Sequence, residues 1–260
     1  GTSAFAASSG LERGRGLMGA AFAWGLFAGS SLILGGVLAL VLPIRERLLG
    51  LIMAFGAGIL ISAVAYELVA EAFETSAGNG SLALGLSAGA LTFFAGDSVI
   101  DRMGGGGRKR MHGTAGAGSA LAIVLGIVLD GIPESAVIGL GLLGGAGVSV
   151  AVIAAVFLSN LPEAIAATTG LVAGGWTRGR IIGLWALVTL VCGLASLLGY
   201  AVFDSASPDA LAFVLAFAGG AILTMLADTM MPEAFEHGGK LVGLLTTLGF
   251  GLAFALTMLE

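Results

Sequence analysis

Residues 118–143 read GSALAIVLGIVLDGIPESAVIGLGLL, and residues 147–173 read GVSVAVIAAVFLSNLPEAIAATTGLVA. Each stretch is long and apolar enough to cross a bilayer as a helix, which takes about 20 mostly apolar residues. Each also carries a Pro-Glu pair near its middle, Pro133-Glu134 and Pro162-Glu163. At an offset of 29, Leu129-Asp130-Gly131-Ile132-Pro133-Glu134 aligns with Leu158-Ser159-Asn160-Leu161-Pro162-Glu163. Between Arg110 and Arg178 lie 67 residues without Lys or Arg, yet that stretch holds Asp130, Glu134 and Glu163. An ionisable side chain at the bilayer centre is costly and marks a functional site by default. Ionised carboxylates sharing a dry site need counter-charge, so these groups either hold protons or neutralise a mobile cation.

The spacing sharpens the second option. Asp130 and Glu134 are four apart and share a helix face, as do Ser159 and Glu163. Asn160 lies three before Glu163. Proline removes a backbone N–H and clashes with the carbonyl four residues earlier. Pro133 and Pro162 therefore free the carbonyls of Leu129 and Leu158 as further oxygen donors, as broken helices do in transporters. Carboxylates, an amide, a hydroxyl and carbonyls together make an oxygen-rich site suited to a divalent cation. The bland alternative is protonated carboxyls bonding across helices that the prolines merely kink.

The rest of the chain fits a membrane setting. Of 260 residues, 57% are apolar and 10% charged, against about 25% charged in soluble domains. A net charge of −5 argues against nucleic acid as a partner. Cys192 stands alone and forms no internal disulfide. Eight spans are expected, over 17–42, 49–72, 81–101, 118–143, 147–173, 181–203, 209–235 and 240–259, in one all-α transmembrane domain covering 1–260. A flexible N-terminal tail is expected over 1–16, and a Gly-rich basic loop over 102–117. Nine of the eleven basic residues (Arg45, Arg47, Arg102, Arg108, Lys109, Arg110, Arg178, Arg180, Lys240) fall in alternate loops on one side. Retention of basic loops in the cytoplasm then puts both termini outside, in a multi-pass cell-membrane protein.

An internal repeat bears on the architecture. FGAGILISAVAYELVAEAFE (55–74) and FAGGAILTMLADTMMPEAFE (217–236) align without gaps at an offset of 162 and share the EAFE ending. With eight spans these segments run in opposite directions, the inverted-repeat pattern of many secondary transporters.

These residues resemble the ZIP (Zrt-, Irt-like) family of divalent-metal transporters, as a divergent bacterial-type member. The resemblance implies eight spans with outward termini in a 3+2+3 inverted arrangement, and a metal site built from Pro-Glu motifs in spans 4 and 5. Carried over, Glu134 and Glu163 match the family's metal-ligand Glu residues, and Asp130 stands where a His is usual. Gly131 stands where an Asn is usual, and Ser159 and Asn160 fill the ligand positions before the span 5 proline. The substrate it implies is a divalent metal ion: zinc first, with manganese, iron and cobalt open because an all-oxygen site is hard, and cadmium also possible. It also implies an elevator, in which spans 1, 4, 5 and 6 carry the site past spans 2, 3, 7 and 8.

Outside the midplane, Glu67 and Glu71 in span 2 are candidates for an entrance pathway, aided by Asp204 and Asp209 in the outer loop. On the inner side, Asp97, Asp101, Asp228, Glu233, Glu236 and His237 are candidates for an exit pathway, Asp228 lying deepest. Solvated helix ends account for most of these equally well. His112 reads as a solvated loop residue, Met225, Met230 and Met231 as packing, and Trp176 beside Arg178 as an interfacial anchor. Expected partners are lipid and the metal ion, with a homodimer left open. A membrane-embedded metalloenzyme, a proton-linked carrier of another solute and a non-transporting scaffold remain alternatives. The absence of core His and of Ser/His or HExxH motifs weighs against an enzyme.

Overall fold

The computed structural model describes residues 2–76, 80–105, 117–143 and 148–259. The chain is all-helical, with no strand among the described residues. Helix α1 runs Thr2–Val41. α2 (Glu46–Ala63) continues through a π-helical turn, Val64–Val69, into α3 (Ala70–Thr75). α4 (Ser81–Ile100) ends in a second π turn, Asp101–Gly105. Next come α5 (Ala117–Leu140), α6 (Val150–Ala173) and α7 (Arg178–Phe203). α8 (Pro208–Met225) passes through a third π turn, Leu226–Met230, into α9 (Met231–Gly238), and α10 (Leu241–Thr257) closes the described fold.

Six of these helices are long and apolar enough to cross a membrane: Gly14–Val41, Glu46–Thr75, Ser81–Met103, Val150–Ala173, Arg178–Phe203 and Pro208–Gly238. Leu241–Thr257 is a shorter apolar helix. Their outward faces are those of a multi-pass membrane protein. Leu84 and Leu91 of α4 are each 67% exposed, and Leu244, Leu248 and Leu252 of α10 line one exposed face, where a soluble protein would place charge.

Two boundaries differ from expectation. Residues 2–16 belong to α1 and are not a separate tail. The Ala, Leu, Glu and Arg there favour helix, and the apolar stretch that follows extends it. The basic loop expected from 102 begins later, because the π turn carries α4 to Gly105. Arg108, Lys109, Arg110 and His112 lie outside the described residues.

Helix ends follow local chemistry. Ser149, Thr177 and Ser207 each cap a helix, their hydroxyls accepting from the backbone N–H of Val152, Arg180 and Ala210. Gly239 closes α9 with φ +63°, a conformation open to glycine. Pro133 and Pro162 sit inside α5 and α6, and both helices run through them.

Packing divides the helices into two sets. α1, α5, α6 and α7 pack on one another. The α2–α3 and α8–α9 stretches pack with α4 and α10, with α2 against α6 and α5 against α8 joining the sets. Side-chain bonds tie the first set: Ser196 Oγ donates to Ala21 O at 2.7 Å, Thr189 Oγ1 to Gly29 O at 2.9 Å, and Trp185 Nε1 to Thr168 Oγ1 at 2.9 Å.

Glycine sets the approach in the second set, and it does so twice in matching places. A β-carbon on Gly249 of α10 would collide with Phe55 O of α2, and one on Gly89 of α4 would collide with Phe217 O of α8. Likewise Gly58 lies against Thr246 O, and Gly220 against Leu86 O. Phe55 and Phe217, and Gly58 and Gly220, are the pairs that align at an offset of 162. The π turns beginning at Val64 and Leu226 stand at the same offset. So do fully buried Ala72 and Ala234, and exposed Phe73 and Phe235.

Candidate functional site

All five residues expected at the midplane are buried. Asp130 is 1% exposed, Glu134 2%, Ser159 0%, Asn160 1% and Glu163 2%. α5 supplies the first two and α6 the other three, and the helical spacing keeps each group on one face. The two helices meet chemically at Glu134. Ser159 Oγ stands 3.2 Å from Glu134 Oε1 and 3.1 Å from Oε2, a hydroxyl shared between both carboxylate oxygens. Ser159 Oγ also lies 3.1 Å from its own helix carbonyl at Val156.

Asn160 is the telling member of the set. Both its amide nitrogen and its amide oxygen are buried and make no hydrogen bond among the described residues. A buried polar group without a partner costs about 1–3 kcal/mol. Such groups persist in native folds where a ligand, water or function compensates.

The charge around these residues is one-sided. Asp97, Asp130, Glu134, Glu163 and Glu233 are buried, while no Lys or Arg is buried among the described residues. The carboxylates do not close into a ready-made cage: no group of three or more His, Cys, Asp or Glu that could hold a metal is found among the described residues. Asp130, Glu134 and Glu163 are all buried, and the bond between Ser159 and Glu134 is a contact that joins the two helices. The Leu158 carbonyl facing Pro162 is turned toward α2, where a β-carbon on Gly56 would lie 3.1 Å from it.

The flanking residues are scattered. Glu67 is half-buried and accepts from Thr257 Oγ1 at 2.8 Å, linking the α2–α3 stretch to the end of α10, while Glu71 is exposed. Among the residues expected on the inner side, Asp97 and Glu233 are buried and Asp101, Asp228 and Glu236 are exposed. Asp228 lies on an exposed face of the π turn. His237 Nδ1 stands 3.7 Å from Glu46 Oε2, pairing α9 with the start of α2. Met225 and Met230 are core residues and Met231 packs partly buried against the core, as expected of packing methionines. Trp176 stacks under Arg180, its ring centroid 3.8 Å from the guanidinium carbon.

Two partnerships have no clear mark in the sequence. Thr257 beside Glu67 is 190 positions away, so no local spacing signals it. Thr168 and Trp185 meet across the turn between α6 and α7, and only the rule that a buried indole N–H needs an acceptor points to such a pair.

No protein-family model matches the chain, and no characterised protein compared with it is a match.

Proposed function

We propose that the protein is a transporter of divalent metal cations, moving them toward the cytoplasm through the buried carboxylates of α5 and α6. The observation that carries this reading is the layer formed by Asp130, Glu134, Ser159, Asn160 and Glu163. It is almost wholly buried, joined across helices by the Ser159–Glu134 contact, and holds an amide with no hydrogen-bond partner among the described residues. With no Lys or Arg buried among those residues, a cation is the natural counter-charge. Oxygen donors suit hard and borderline divalent ions, and zinc, manganese, iron, cobalt and cadmium are the candidate substrates.

The architecture proposed with it is eight spans in a 3+2+3 inverted repeat of the ZIP type, both termini outside. The matched π turns and glycine contacts at an offset of 162 support it. The division of helices into two packed sets supports alternating access, one set carrying the site past the other.

The experiment is uptake of a metal panel (zinc, manganese, iron, cobalt, cadmium) by vesicles reconstituted with the purified protein. Uptake of at least one of these ions above that of empty vesicles is expected. Background uptake of all five would overturn the transporter reading.

A further inference from the structure

Beside the oxygen donors stands a group of different chemistry. Cys192 of α7 is the chain's one cysteine, and it is 2% exposed. Helix α7 runs close along α5: a β-carbon on Gly139 would collide with Ser196 O, and one on Gly199 would meet Ala136 O. Further along the same contact, a β-carbon on Gly131 would lie 3.6 Å from Cys192 Sγ, with no other neighbour within 4 Å among the described residues. Gly131 follows Asp130 and precedes Pro133-Glu134, so its missing side chain opens the candidate site toward the sulfur.

Other contacts fix the thiol there. A β-carbon on Gly29 would lie 2.9 Å from Cys192 Cβ and 3.4 Å from its Sγ, so α1 also packs closely on the cysteine. Ser135 is fully buried, and its hydroxyl has no hydrogen-bond partner among the described residues. Ser135 and Glu134, adjacent on α5, are both near enough to Cys192 to act electrostatically on its thiol. The sulfur thus stands beside Gly131, with the Glu134 carboxylate and the buried Ser135 hydroxyl in its neighbourhood. Glu134 also takes part in the Ser159 contact.

We propose that Cys192 is a specificity-determining residue, supplying a sulfur donor to the cation held at Glu134 and favouring soft and borderline ions over hard ones. Thiolate ligands select such ions, whereas carboxylate and carbonyl oxygens alone suit magnesium, calcium and manganese. Binding through sulfur displaces the thiol proton, as metal binding at thiols does generally. The inference rests on the metal-site reading above, and its test separates the two.

The test is a cadmium titration of the purified full chain, read by the ultraviolet sulfur-to-cadmium charge-transfer band, with manganese competition measured on the same samples. Because the chain has one cysteine, any such band belongs to Cys192. Wild type is expected to develop the band. Cys192→Ser is expected to bind cadmium without it and to lose about tenfold in preference for cadmium over manganese, the scale typical of losing a supporting partner at a metal site. Glu134→Ala is expected to lose both binding and band. The wild-type spectrum decides the matter even if Cys192→Ser fails to fold. Saturable cadmium binding without the band, or an unchanged preference in Cys192→Ser, overturns the role of Cys192 and leaves the carboxylate site standing. Absence of cadmium and manganese binding in every form overturns both.

Discussion

Alanine at Gly249 is expected to loosen α10 from α2, whereas alanine at Gly251, on the same helix, is expected to strengthen α10. The helix-propensity gain is common to both changes, about 1 kcal/mol for Gly to Ala. The surroundings differ. At Gly251 nothing among the described residues lies within 4 Å of the new β-carbon. At Gly249 it meets Phe55 O and C and comes within 3.3 Å of Ile59 N, all backbone atoms of α2 that cannot rotate away. Overpacking of this kind costs about 1–3 kcal/mol. The propensity term cancels between the two variants, so Gly249→Ala is expected to be less stable than Gly251→Ala by about that amount. In a chain of this size the gap corresponds to roughly 2–12 °C in Tm. Thermal unfolding in detergent, followed by circular dichroism, measures it. Gly89→Ala is expected to behave like Gly249→Ala, because its β-carbon meets Phe217 O in the matching position on α8. A Gly249→Ala protein as stable as Gly251→Ala would refute the close crossing and, with it, the reciprocal packing of the two repeats.

Ser159→Ala removes the hydroxyl shared by both oxygens of Glu134. Metal uptake is expected to weaken less than in Glu134→Ala, which loses the carboxylate itself, and side-by-side uptake assays check the order. Trp185→Phe removes the donor to Thr168 inside a fully buried contact, and a loss of about 1–3 kcal/mol in unfolding free energy is expected for the orphaned hydroxyl. Thr257→Val is expected to leave uptake close to wild type while lowering Tm slightly, because it frees a half-buried Glu67 rather than a midplane carboxylate.

Helix positions are legible because apolar length is a strong signal: each expected span is covered by a helical stretch to within three residues at the described ends. The buried layer at Asp130, Glu134, Ser159, Asn160 and Glu163 is legible too, since carboxylates in an apolar stretch free of Lys and Arg are too costly to sit there without a role. Three things are not. The π turns at Val64 and Leu226 need one extra residue per turn, and neither sequence carries a proline or glycine that would mark them. The side of a helix that faces its neighbour cannot be read where apolar residues surround it, which is why Cys192 stands unannounced beside Gly131. The N-terminal boundary is obscure because polar helix formers before an apolar stretch look like a tail when only hydropathy is weighed.

The central claim is that buried carboxylates on α5 and α6 carry a divalent cation. The most direct measurement compares initial metal uptake by vesicles containing equal amounts of folded wild type, Glu134→Ala and Glu163→Ala, using the ion that wild type transports best. Uptake falling to the level of empty vesicles in both variants, with circular dichroism unchanged, is the predicted result. Uptake by either folded variant at the wild-type rate would contradict the account.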